Sequence, residues 1–207
     1  MPVDFSNIAI PFLQKQQIWD IAEKVRKKYW GDELPVDIEI IAERGYNIYL
    51  TPVPGLKSVA NTEAFLSSNL DEIMFDLKSP DVRLRFSIAH ELGHKELHSN
   101  QIMALRRNSY DEWREMLDNI PAEIWGRAEW QAREFAGRLL VPRLRLIKII
   151  KENKQLIDQA KNKVPDLEIS ALNEYLSRHL SSQFDVSDDV IIARLLAEAL
   201  DPFSIVS

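Results

Sequence analysis

The run from Pro80 to His98 constrains the fold more than any other part of the chain. Apolar residues Val82, Leu84, Phe86, Ile88 and Ala89 recur there at helical spacing, behind a Pro80-Asp81 pair suited to a first helical turn. A helix is therefore predicted from this pair to about His98. Inside it lies His90-Glu91-Leu92-Gly93-His94, an H-E-x-x-H arrangement. Residues four apart on a helix share a face, so the imidazoles of His90 and His94 can present nitrogen to one zinc ion. Glu91 then lies beside the metal, placed to take a proton from water as a general base instead of coordinating. The competing explanation is that these are ordinary polar residues on a solvated face. It is weakened by Val82, Phe86, Ile88 and Ala89 around the motif, because polar groups on a buried helix need partners.

Composition narrows the ligand set. The 207-residue chain has no cysteine, which excludes a disulfide framework and a thiolate cluster and leaves His and carboxylates as ligands. A catalytic zinc takes three protein ligands and keeps one position open. His98 continues the His90–His94 stripe, but on a straight helix rising ~1.5 Å per residue it lies about 12 Å along the axis from His90, too far for the same shell. The longer pattern H-E-x-x-H-x-x-G-x-x-H also fails, since its Gly and third His positions hold Leu97 and Asn100. A carboxylate from another helix is expected. Glu129 leads, at the start of a predicted Ala128–Leu140 helix with the stripe Ala128, Ala132, Phe135, Ala136 and Leu139; Glu134 and Glu123 are its rivals.

The rest of the chain reads as helices around a few strands. Phe12 to Tyr29 has a helical period that Gly31 ends, and Leu34-Pro35-Val36-Asp37 starts a second helix that Gly45 stops. Tyr46 to Val53 alternates like a half-buried strand. Val59 to Phe65 and Glu72 to Leu77 read as two further strands joined by the polar turn Ser67-Ser68-Asn69-Leu70-Asp71, an antiparallel hairpin. From Ser99 to Arg127 the pattern weakens to a short helix carrying Trp113, Met116 and Leu117, interrupted by Pro121, and is expected to be a mobile or partner-facing insertion. Arg143 to Lys163 is helical and basic, and Leu172 to Leu180 with Val190 to Leu200 forms a final helix pair whose second member has Ser187 at its N-cap.

Charge argues against nucleic acid as a partner. Twenty-six Lys and Arg stand against 32 Asp and Glu, a net charge of −6. The final pair superficially resembles a helix-turn-helix, but Asp188 and Asp189 occupy the turn that would face phosphates. The lysines of 143–163 lack interleaved aromatics and read as a solvated face. Met1 to Trp19 has no secretory pattern and no stretch approaches a membrane span, so a cytoplasmic protein without membrane contact is expected.

Two stretches together resemble the ImmA/IrrE family of metallopeptidases, found in bacteria, mobile elements and phages. The first is Arg83-Leu84-Arg85-Phe86 leading into His90–His94 and on to His98; the second is Glu129-Trp130-Gln131-Ala132-Arg133-Glu134-Phe135-Ala136-Gly137-Arg138-Leu139-Leu140-Val141-Pro142. Weaker similarity extends from about Pro35 to Leu200. The resemblance implies an α+β, zincin-like fold, mostly helical, with a small antiparallel sheet beside the motif helix. It implies Glu129 as third ligand after His90 and His94, with Glu91 catalytic. It also implies a protein substrate, a helix-turn-helix repressor, one extended segment of which would pair with a strand edge at Glu72, Ile73, Met74 and Phe75. Two positions depart from the family pattern. Arg133 stands where Asp or Asn often orients a ligand imidazole, so that orienting partner must come from elsewhere. Val141 replaces a common Met, a conservative change in the core.

The expected organisation is an N-terminal helical segment at 1–33, a zincin-like core at 34–142 and a C-terminal helical subdomain at 143–207. The leading function is a zinc-dependent metalloendopeptidase with one ion per chain, manganese being the alternative ion. The rival is a non-catalytic metal-binding module that captures a repressor or toxin partner. A small-substrate hydrolase is disfavoured because no closed small-molecule pocket is suggested.

Overall fold

The computed structural model describes residues 9–105 and 110–206. Residues 1–8, where no leader was expected, and 106–109, inside the expected insertion, lie outside them, as do the side chains of Trp113 and Leu117. The first helix, α1 (Lys15–Tyr29), buries Ile18, Trp19, Ala22 and Val25, and its end is closed by the Arg26 carbonyl accepting from Trp30 and from Gly31, whose φ is +110°. Asp37 caps the short α2 (Ile38–Ile40) by accepting from the Ile40 N–H, and a π-helical turn over Ile41–Gly45 follows.

Three strands form the sheet: β1 (Tyr49–Val53), β2 (Ala64–Leu66) and β3 (Glu72–Asp76), in the order β1-β3-β2. β2 and β3 pair antiparallel, Ala64 opposite Phe75 and Leu66 opposite Ile73, which is the hairpin the polar turn predicts. β1, however, pairs parallel to β3, so the sheet is mixed and β3 is its centre. The stretch expected to begin the second strand is shorter than its apolar run suggests, because α3 (Leu56–Ala60) takes up Val59. Gly55 and Asn61 flank that helical turn with left-handed dihedrals, and the Lys57 N–H is held by the Asp76 carboxylate at 2.6 Å.

The motif helix α4 (Asp81–Ala104) runs past His98 instead of ending there. His98 itself has non-helical dihedrals (φ −129°, ψ 15°), and Ser99 turns its hydroxyl back to the Lys95 carbonyl, a bond that bends helices. α5 (Tyr110–Asn119) and α6 (Ala122–Leu140) follow, the latter led by Pro121. The described part of the segment after Ser99 is therefore mostly helical and turns apolar residues to the core: Ile102, Leu105, Met116 and Ile120 are all buried. Its dense charges mask an apolar side that only tertiary packing reveals.

α4 lies between the sheet on one side and α6 on the other. Gly93 makes the second contact close: a Cβ there would sit 2.9 Å from Ala132 Cα and 3.0 Å from its carbonyl oxygen. Gly93→Ala must push the two helices apart, and overpacking of this kind costs about 1–3 kcal/mol. A lowered melting temperature in thermal denaturation is the expected result, and an unchanged one would show that the helices are free to separate.

The basic stretch divides at Asn153 into α7 (Arg143–Glu152) and α8 (Lys154–Lys163), whose lysines are exposed while Leu146, Ile149, Ile150 and Ile157 are buried. α9 (Ile169–Phe184), α10 (Asp188–Ala197) and the short α11 (Pro202–Val206) complete the chain, with Ser187 at the N-cap position of α10 but making no side-chain cap. Among the described residues one apolar cluster extends from Ile18 to Leu200. Arg85, on the first turns of α4, donates to the Val36 carbonyl and to the Asp185 carbonyl, tying the motif helix to the segment before α2 and to the end of α9. No described helix is long and apolar enough to cross a membrane.

Candidate metal centre

α4 sets His90 and His94 one turn apart on the face turned toward α6, and their Nε2 atoms lie 3.0 Å from each other. Glu129, on α6, reaches both: Oε2 is 3.2 Å from His90 Nε2 and Oε1 is 3.1 Å from His94 Nε2. Ligand atoms from the three residues all fall within 4.8 Å of one another. Two imidazoles and a carboxylate are a donor set suited to a divalent ion such as zinc. Burial acts to raise the Glu129 carboxyl, but hydrogen bonds from the two imidazoles outweigh it and hold the group well below the ordinary carboxylate range. The site therefore keeps its negative charge, which a cation needs.

These residues sit in a cleft of about 410 Å³ between β2 and α6, lined also by Phe65, Phe86, Trp125 and Arg133. Glu91 lies on its wall, one step round the helix from His90, and its Oε2 accepts the Leu66 N–H of β2 at 3.0 Å. Burial pushes its carboxyl above the usual range despite the opposing pull of His94 and His90. A carboxylate so placed is a better match for proton transfer near neutral pH than an exposed one.

The partner of His94 that Arg133 could not supply is His98. The two Nδ1 atoms are 3.2 Å apart, and His98 Nε2 meets Gln131 Oε1 at 2.9 Å. His98 and Gln131 are fully buried, and Trp125 stacks on His94 with the ring planes within 7°. Gln131 and Trp125 are neighbours of the candidate centre that sequence reasoning missed; Gln131 could have been found as the residue two beyond Glu129 on a buried helix, whereas nothing marked Trp125. Arg133 is exposed on the cleft wall.

The rivals of Glu129 are placed elsewhere. Glu134 accepts from Trp19 Nε1 at 2.9 Å and pairs with Arg194, and Glu123 is exposed in the first turn of α6. The expected substrate strand needs correction. Glu72, Ile73, Met74 and Phe75 belong to β3, which is hydrogen-bonded on both sides and has no edge to offer; the outer strand beside the metal centre is β2.

A family model described as the IrrE N-terminal-like domain, peptidase M78, matches residues 72–196, more than half of the chain. The chain belongs to the ImmA/IrrE family of metallopeptidases. No curated protein sequence matches it. The matched region begins at β3 and takes in α4, α6 and α10, so the family's extent includes every residue of the His90–His94–Glu129 group. An ImmA/IrrE metallopeptidase requires a metal and acts on a polypeptide, and this group is where three ligand atoms converge among the described residues. The fold agrees: mostly helical, with a small sheet alongside the motif helix.

Proposed function

We propose that the protein is a zinc-dependent endopeptidase that makes one site-specific cut in a helix-turn-helix transcriptional repressor, in the cytoplasm where such regulators act. The observation that carries the catalytic part is the convergence of His90, His94 and Glu129 with Glu91 next to them in an open cleft. His90 Nε2, His94 Nε2 and the Glu129 carboxylate would hold the ion. When bound, zinc polarises water and the scissile carbonyl as a Lewis acid. Glu91, steadied through Oε2 by the Leu66 N–H, takes the proton of the attacking water on Oε1 and delivers it to the departing amine. An extended stretch of substrate would lie between β2 and α6, with Phe65 and Phe86 offering apolar contact and Trp125 covering His94.

Support for a protein rather than a small-molecule substrate comes from the family and from the open cleft. The test is mass spectrometry of the helix-turn-helix regulator encoded nearest the gene, after incubation with zinc-loaded protein. Two complementary fragments, lost on chelation and restored by zinc, are expected; restoration by manganese alone would reassign the ion. An intact regulator that co-elutes with the protein would favour the capture module instead, and one that neither binds nor is cut would remove the repressor as substrate.

A further inference from the structure

The N-terminal segment reaches the metal centre through hydrogen bonds whose direction is fixed at one end. The Pro11 carbonyl lies 2.7 Å from Gln131 Nε2, and a carbonyl can only accept, so the amide turns its N–H to Pro11 and its Oε1 the other way. Oε1 meets His98 Nε2 at 2.9 Å and again only accepts, so the proton of His98 sits on Nε2. His98 is fully buried with Gln131 and His94 as its hydrogen-bonding partners among the described residues, and a buried ring without a carboxylate beside it stays neutral, which leaves its Nδ1 an acceptor. That Nδ1 lies 3.2 Å from His94 Nδ1, which must then donate. The other ring nitrogen of His94, Nε2, faces His90 and donates to Glu129 Oε1 at 3.1 Å, so it is the proton on Nε2 that an ion would displace to take that lone pair.

The segment that starts this chain of bonds is fastened to both ligand-bearing helices. Gln101 of α4 donates to the Ala9 carbonyl and Arg127 of α6 to the Ile10 carbonyl, each at 3.1 Å, and the Ile10 side chain is buried. We infer that Pro11, Gln131 and His98 are positioning residues that select the His94 tautomer able to bind metal through Nε2, so that residues 9–11 complete the metal centre from a distance. The inference rests on His94 being a metal ligand, as proposed above. Partners of this kind around a metal-bound imidazole change affinity roughly 10- to 100-fold when removed.

Nitrogen-15 NMR of the histidine rings in metal-free and zinc-loaded protein tests the direction. His94 protonated at Nδ1 and His98 at Nε2 are expected in both states; a neutral His98 carrying its proton on Nδ1 overturns the inference. Zinc affinity, measured by competition with a chromophoric chelator, tests the consequence. Gln131→Met keeps the side-chain length but neither polar group, and its affinity is expected to fall roughly 10- to 100-fold. Ile10→Ala, which loosens the segment without touching a ring, should lower it in the same direction by less. Wild-type affinity in folded Gln131→Met overturns the inference, and loss in Gln131→Met with none in Ile10→Ala overturns the part assigned to residues 9–11. Should His94→Ala leave zinc affinity untouched, the ligand reading falls instead, and the ring tautomers of metal-free protein still decide this one.

Discussion

Glu91→Gln is expected to keep its metal and lose cleavage, by roughly 10²- to 10⁴-fold, the range typical of a positioned general base. The amide has the size of the carboxylate and still offers an oxygen to the Leu66 N–H, so α4 and β2 should stay in contact. What it lacks is the ability to take up a proton. Metal content by atomic emission, set beside single-turnover cleavage, separates the two effects. Turnover within a few-fold of wild type would dismiss Glu91 as the base, and loss of metal together with activity would make it a ligand.

Removal of the third ligand should act on binding first. Zinc held by four protein ligands is worth about 10–16 kcal/mol, so deleting one ligand of three is expected to cost about 3 kcal/mol or more, over a hundredfold in Kd. Glu129→Ala is the variant, with Kd from chelator competition as the readout. The charge matters as well as the lone pair, since the carboxylate stands against two imidazoles at 3.1 and 3.2 Å. Glu129→Gln should therefore fall between the wild type and the alanine variant. Undiminished affinity in Glu129→Ala would pass the ligand role to another group, although Glu134 is engaged with Trp19 and Arg194 and Glu123 is exposed.

Much of the candidate centre was legible because its chemistry is local. His90, Glu91 and His94 are placed by the pitch of one helix, and the pitch is written in Val82, Phe86, Ile88 and Ala89. Glu129 needed two helices to be brought together; the apolar stripe of its helix made it the leading candidate over Glu134 and Glu123, and the resemblance to the family favoured it further. His98 shows the limit most clearly. A straight-helix argument set it outside the metal shell, and this also hid the contact with His94, one turn back, because a ring read as no ligand was given no other task. The mixed sheet was hidden for a different reason. Alternation within Tyr46 to Val53 marks a strand but carries no information on its neighbour, and parallel pairing with β3 arises across an intervening helix and strand. The core-facing role of the segment after Ser99 was likewise invisible, since Ile102, Leu105 and Met116 are spread thinly among charges and acquire meaning only against the rest of the core.

The tie made by Arg85 bears on when the protein becomes competent. Its two carbonyl partners stand 49 residues before it and 100 residues after it. A nascent chain that has just released the motif helix from the ribosome already has Val36 to hold but not Asp185, and contacts between distant segments form slowly in any case. The second of the two anchors of the histidine-bearing helix thus forms only once α9 and the residue that follows it have been made.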